Sequence, residues 1–189
     1  MEAHVPCGDE SGEIKRMQPS LYLGPVSYYG RLLRSEEQDV DVNEPYQKQT
    51  LRTRCVIDSP NGPLTLSIPV EKMAHGTPMR DVRISDHGNW RHQHWQALCS
   101  SYRQSPFFDY YADEFAPFYE KRWEFLVDYN EALKQVVLEQ MDVAHMAKMP
   151  EKPLADTYYQ VFAHRHGFLP DLSIVDLLFN MGPEAVLYL

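Results

Sequence analysis

Polar and apolar positions alternate in the first half of the chain and recur at helical spacing in the second. Residues 51–58 and 64–70 form two alternating runs around Ser59-Pro60-Asn61-Gly62. An Asn-Gly turn between such runs predicts a β-hairpin, and Pro63 sits where a missing N–H is tolerated. Residues 38–43, with Val40 and Val42 on one face, and residues 82–85 read as further short strands. Upstream, Pro19 and Gly24-Pro25 break the apolar run 22–33 into a short strand, a turn and a helix ending near Arg34.

Helical spacing begins at residue 89. Trp95, Leu98, Cys99 and Tyr102 follow i, i+3, i+4, i+7, which predicts a helix over 89–103 with Asn89 as its N-cap and Ser105-Pro106 as its stop. Residues 107–119 are rich in aromatics and read as a short helix around Asp113. The longest helix is expected over 123–141, with Leu126, Tyr129, Leu133, Val137 and Met141 inward. Asn130 interrupts that stripe, and a buried amide must find a partner; a neighbouring backbone group is expected. Residues 149–153 read as a linker. Ser173 with Asp176 three residues on has a capping-box pattern at the last helix, which Gly182-Pro183 ends. The fold expected is α/β: one domain over residues 17–189, with a small mixed sheet in its first half and a helix-rich second half, behind a flexible extension at 1–16.

Composition narrows the function classes. Of 189 residues, 43% are hydrophobic, enough for a core. The net charge of -9 argues against a nucleic-acid partner, since that needs a basic surface. Cys7, Cys55 and Cys99 lack CxxC spacing, which argues against a disulfide framework or a structural zinc and fits a reducing compartment. No apolar run has the length of a membrane span, and the first residues lack the core of a signal peptide. A cytoplasmic protein is expected.

Against this acidic background residues 45–57 contain no Asp or Glu, while Lys48, Arg52 and Arg54 are cationic. Two arginines at i, i+2 on a strand share a face and can fork an oxyanion, a phosphate or carboxylate. The competing reading is salt bridging to the chain's own 27 acidic residues. Glu44 and Tyr46 precede the segment and supply a candidate base and a hydrogen bond. A second cluster, His87, Trp90, Arg91, His92 and His94, opens the 89–103 helix, where free N–H groups favour an anion. If that helix faces the hairpin, Arg52, Arg54 and Arg91 converge, with His94 or His87 as general acid or base; a docked aromatic helix start is the plainer alternative. No metal is expected: His92-x-His94 suits a strand better than a helix, and no third ligand has matching spacing. Cys55 follows two arginines that favour a thiolate, though a buried inert thiol on a strand is the favoured reading. His166 and Asp171 spell an HxxxxD acyltransferase pattern that eight histidines can produce by chance. GxGxxG, Walker, GxSxG and HExxH motifs are absent, and no cofactor is named.

Several segments together resemble the WbqC-like family. They are Met17-Gln-Pro19 with Pro25-Val-Ser-Tyr-Tyr29, Asn43-Glu-Pro-Tyr-Gln-Lys-Gln-Thr-Leu-Arg-Thr-Arg-Cys55, Ser67-Ile-Pro-Val70, Asp81-Val-Arg-Ile84, Asn89-Trp90 with His94-Trp95, Ser105-Pro-Phe-Phe108 and Asp176-Leu-Leu-Phe-Asn180. The resemblance implies a role in bacterial surface-polysaccharide or lipopolysaccharide assembly, often described as transferase-like. Joined to the charge pattern, it leads to a transferase acting on a small anionic activated donor. Lys48, Arg52, Arg54 and Arg91 would hold the anion with Trp90 and Tyr46 beside it, and His94, His87 and Glu44 would serve the chemistry. The alternative is a non-catalytic assembly protein that docks a protein partner on an aromatic surface of Tyr110, Tyr111, Phe115 and Tyr119.

Overall fold

The computed structural model describes residues 17–35, 39–143, 153 and 155–189. The extension expected at 1–16 and, apart from Pro153, the linker at 149–153 lie outside them. The hairpin forms: β1 (Arg54–Ile57) pairs antiparallel with β2 (Leu64–Ser67), Arg54 opposite Ser67 and Ile57 opposite Leu64. Its turn is closed by Gly62 N–H to Ser59 C=O at 3.0 Å, and Gly62 takes the φ of +97° that a side chain would resist. β1 alternates half-buried Arg54 and Val56 with buried Cys55 and Ile57, so the arginine lies on the outer face.

Six α-helices are found among the described residues: α1 (Val26–Arg34), α2 (Trp90–Tyr102), α3 (Phe108–Glu120), α4 (Leu126–Gln140), α5 (Ala163–His166) and α6 (Ile174–Met181). The α/β class, with a sheet in the first half and helices in the second, is the observed one. The sheet itself is the two-stranded hairpin. The other runs read as strands make single bridges: Gln18 with Val40 in parallel, Val70 with Ile84, and Arg83 with Phe125. Their backbone groups bond across loops instead of along a ladder, as in Glu71 N–H to Arg83 C=O at 3.0 Å.

α6 lies at the centre. Its sequence, IVDLLFNM, is apolar almost all round, the signature of a helix with no solvent face. The Phe179 ring meets Tyr102, Phe108 and Phe115 edge-on at centroid distances of 5.3–5.4 Å. Each such buried ring contributes on the order of 2–3 kcal/mol by area alone. α4 buries Leu126, Tyr129, Leu133, Val137 and Met141 as the spacing predicts. The inward face of α2 is rotated from the predicted one: Trp90, His94, Leu98, Ser101 and Tyr102 are buried, while Trp95 and Cys99 are half-buried. The rotation carries a histidine inside. In α3, Tyr111, Phe115 and Tyr119 are core residues and Tyr110 alone of that aromatic set is exposed.

Candidate functional site

Two loops flank the open end of the hairpin and enclose a cleft of about 540 Å³. One loop is 44–53. Tyr46 N–H bonds Thr77 C=O at 2.8 Å, Met79 N–H bonds Glu44 C=O at 2.9 Å, and Thr53 C=O accepts from Ile68 N–H at 2.8 Å. The other loop follows β2 and is tied back by Glu71 N–H to Arg83 C=O. Tyr46, Lys48 and Arg54 line the cleft from the first loop and β1; Ser67, Glu71 and Lys72 line it from the other side. Among the described residues, no carboxylate lies within ion-pair distance of Lys48, Arg54 or Lys72.

Arg52 and Glu44 do not line this cleft; they pair with each other. Arg52 Nε donates to Glu44 Oε1 at 2.8 Å and Nη2 to Oε2 at 2.5 Å, a bidentate fork that closes the loop bearing Tyr46 and Lys48. From the far side, the Asn130 amide donates to Arg52 C=O at 2.9 Å. The buried Asn130 thus bonds a backbone group, as expected, but one distant in the chain.

The α2 cluster forms a separate group. Arg91 bonds Asp86 Oδ1 at 2.7 Å and its guanidinium stacks 4.8 Å from the Trp90 ring, whose indole N–H donates to Ser85 C=O. Arg91 holds the Asp86 carboxyl below its usual range, with Arg122 adding to the effect. His87 is exposed beside them. His94 is buried: Tyr22 Oη lies 2.9 Å from its Nδ1, and Tyr119 Oη lies 3.1 Å from Tyr22 Oη. Burial lowers its pKa to about 4, so the imidazole is neutral near pH 7. The structure therefore brings Tyr46, Lys48 and Arg54 together at the cleft, while His94 is buried in the core against Tyr22. Arg91, Trp90 and His87 lie away from the cleft lining. Cys55 is buried, and burial pushes its thiol pKa up, the opposite of an activated nucleophile.

A polar group that the sequence reading passed over lies under α6. Asp176 is fully buried and accepts from Tyr102 Oη at 2.9 Å, Tyr158 Oη at 2.7 Å and Gln160 Nε2 at 2.9 Å. Burial raises its pKa to about 6 despite those bonds. Tyr102 Oη also accepts Asp58 N–H at 3.0 Å, and the buried Asp58 carboxylate faces His166 Nε2 at 3.1 Å. Burial pushes the Asp58 carboxyl up too, partly offset by His166. Ser173 and Asp176, read as a capping box, do other work: the Ser173 hydroxyl donates to Leu23 C=O at 2.7 Å. Asp171 caps α1 from outside, taking Ser27 N–H at 2.8 Å and its hydroxyl at 3.0 Å, so His166 and Asp171 serve separate partners. The missed signal was the apolar context of Asp176: an acid with Val, Leu, Leu and Phe around it has no solvent face to occupy.

The whole is a small α/β protein with a cationic cleft at the open end of its hairpin. The family model of the WbqC-like protein family matches residues 18–152, and the chain belongs to that family. No curated protein and no solved structure matches it. No helix among the described residues is long and apolar enough to cross a membrane, and no group of three or more His, Cys, Asp or Glu among them is placed to hold a metal ion.

Proposed function

We propose that the protein is a transferase of bacterial surface-polysaccharide assembly that binds an anionic activated donor in the cleft beside the hairpin. The observation that carries this reading is the lining of the cleft. Lys48, Arg54 and Lys72 converge without a carboxylate partner among the described residues, in a chain of net charge -9. Unpaired cations in a concavity favour a phosphate or carboxylate and stabilise the charge that develops on it as a group leaves. Tyr46 supplies a ring and a hydroxyl on the same wall. The Glu44–Arg52 fork and Asn130 act as positioning groups that fix the loop. Glu71 is the carboxylate on the cleft wall and takes the role of base toward an incoming acceptor.

The test is a thermal-shift and calorimetric screen of the wild-type chain against nucleotides, nucleotide-sugars and acyl-CoA, repeated with Arg54→Gln. A binder from the panel should lose roughly ten- to hundredfold in affinity on that substitution, the worth of a charge-assisted hydrogen bond. Unchanged affinity would place the anion elsewhere.

A further inference from the structure

Arg54 lines a second cavity as well as the cleft. This one, of about 90 Å³, lies toward the start of α1, between Leu23, Pro25, Leu51 and Val56. The polar side chains on its wall are already engaged. Ser173 Oγ donates to Leu23 C=O, the Asp171 carboxylate takes both Ser27 donors, and burial holds the Cys55 thiol neutral. What remains is a mostly apolar recess, with Arg54 and the Ser27-bound Asp171 carboxylate as the charged residues of its lining. A cavity of about 150 Å³ lined by aliphatic groups accommodates benzene, so this smaller one takes a group below the size of a six-membered ring and excludes a pyranose.

The backbone around the two cavities is strained. Among the described residues, four other than glycine have positive φ: Leu23 at 42°, Gln49 at 60°, Asp142 at 53° and Asp171 at 54°. Gln49 lines the cleft, while Leu23 and Asp171 line the recess. Such conformations are costly for residues with a Cβ, most of all for leucine, and they concentrate where a binding surface must be held in one shape.

We propose that the donor is an acyl phosphate or acyl nucleotide with a short acyl chain: Arg54 grips the phosphate at the junction, the polar remainder lies in the cleft with Lys48 and Lys72, and the acyl group enters the recess. The inference rests on the donor reading above and narrows it from any anion to a phosphate bearing a small apolar arm. It sets nucleotide-sugars aside, because a sugar does not fit the recess.

The experiment is calorimetry on the full chain with three probes: inorganic phosphate, acetylphosphonate, which carries a small acyl group on phosphorus through a C–P bond, and UDP-glucose. Wild type should bind acetylphosphonate at least roughly fourfold more tightly than phosphate, the worth of one buried methyl. Leu51→Trp fills the recess from its rim, where Leu51 is 39% exposed. That variant should keep phosphate affinity and lose the preference. Arg54→Gln should weaken both probes. Equal binding of phosphate and acetylphosphonate by wild type would overturn the acyl assignment while leaving the anion site intact. UDP-glucose bound more tightly than acetylphosphonate, and unaffected by Leu51→Trp, would overturn it in favour of a sugar donor. No binding of any probe would overturn both readings. The wild-type comparison stands without any variant, so a folding defect in Leu51→Trp does not shelter the proposal.

Discussion

Tyr102 donates its hydroxyl to Asp176 at 2.9 Å while accepting the Asp58 N–H at 3.0 Å, so one phenol links the end of β1 to the centre of α6. The acid it serves is fully buried, with a pKa raised to about 6 from 3.8. A raised carboxyl pKa means that the folded state binds the extra proton. The stability this confers is complete below pH 4 and is lost as pH rises through 6. His94 has the opposite sign: its pKa falls from 6.5 to about 4, so the folded state excludes a proton and stability is lost as pH falls through 4. Each shift is worth about 3 kcal/mol at most. In wild type the two slopes oppose each other across the same window. Asp176→Asn should uncover rising stability from pH 4 to 6.5, and His94→Gln a falling one. Urea denaturation at half-unit pH steps checks both; a profile for Asp176→Asn that overlays the wild type would mean that Asp176 does not titrate there.

Asn130 clamps the cleft loop from α4. Asn130→Ala leaves the Arg52 carbonyl without its donor and should cost about 1–3 kcal/mol. The urea midpoint should drop with the slope unchanged. Amide exchange should quicken over residues 46–53, and protection there equal to wild type would show that the Glu44–Arg52 fork holds the loop alone.

Gly182 ends α6 at φ +57°, and a Cβ there would come within 2.5 Å of the Phe107 ring. Gly76 also has positive φ, at +82°, with nothing within 4 Å. Gly76→Ala therefore isolates the backbone term, about 1 kcal/mol, whereas Gly182→Ala adds a clash and should lose roughly 2–3 kcal/mol more. Melting curves of the two variants side by side make the comparison; equal losses would show that Phe107 swings aside.

The helices were legible because their stripes are long. The expectation of 89–103 meets an observed Trp90–Tyr102, and the hairpin was announced by its turn. The strand at 38–43 was not realised as a ladder, since a short alternating run gains nothing without a partner edge, and among the described residues Val40 makes a single bridge, to Gln18. Within the site, Lys48 and Arg54 were readable from charge alone. Arg52 was not separable from them in sequence, because only the fold brings Glu44 to its guanidinium. His94 looked like surface chemistry at a helix start. Its burial follows from Tyr22, 72 residues away, which no local pattern reveals. Asp176 was hidden for the converse reason: a cap and a buried acid look alike when only spacing is read.

The family match stops at residue 152, but the molecule's bonding does not. Asp171 caps α1, Ser173 N–H bonds Val56 C=O, Asp176 holds Tyr102, and His166 faces Asp58. Each of these partners lies inside the matched stretch. Cutting the chain at the edge of the match would strip α1 of its cap, unseal the recess beside Arg54 and open the centre of the core to water. The matched stretch is a unit of sequence kinship and not a module that can be excised; anyone grafting or truncating this protein must carry residues 155–189 with it.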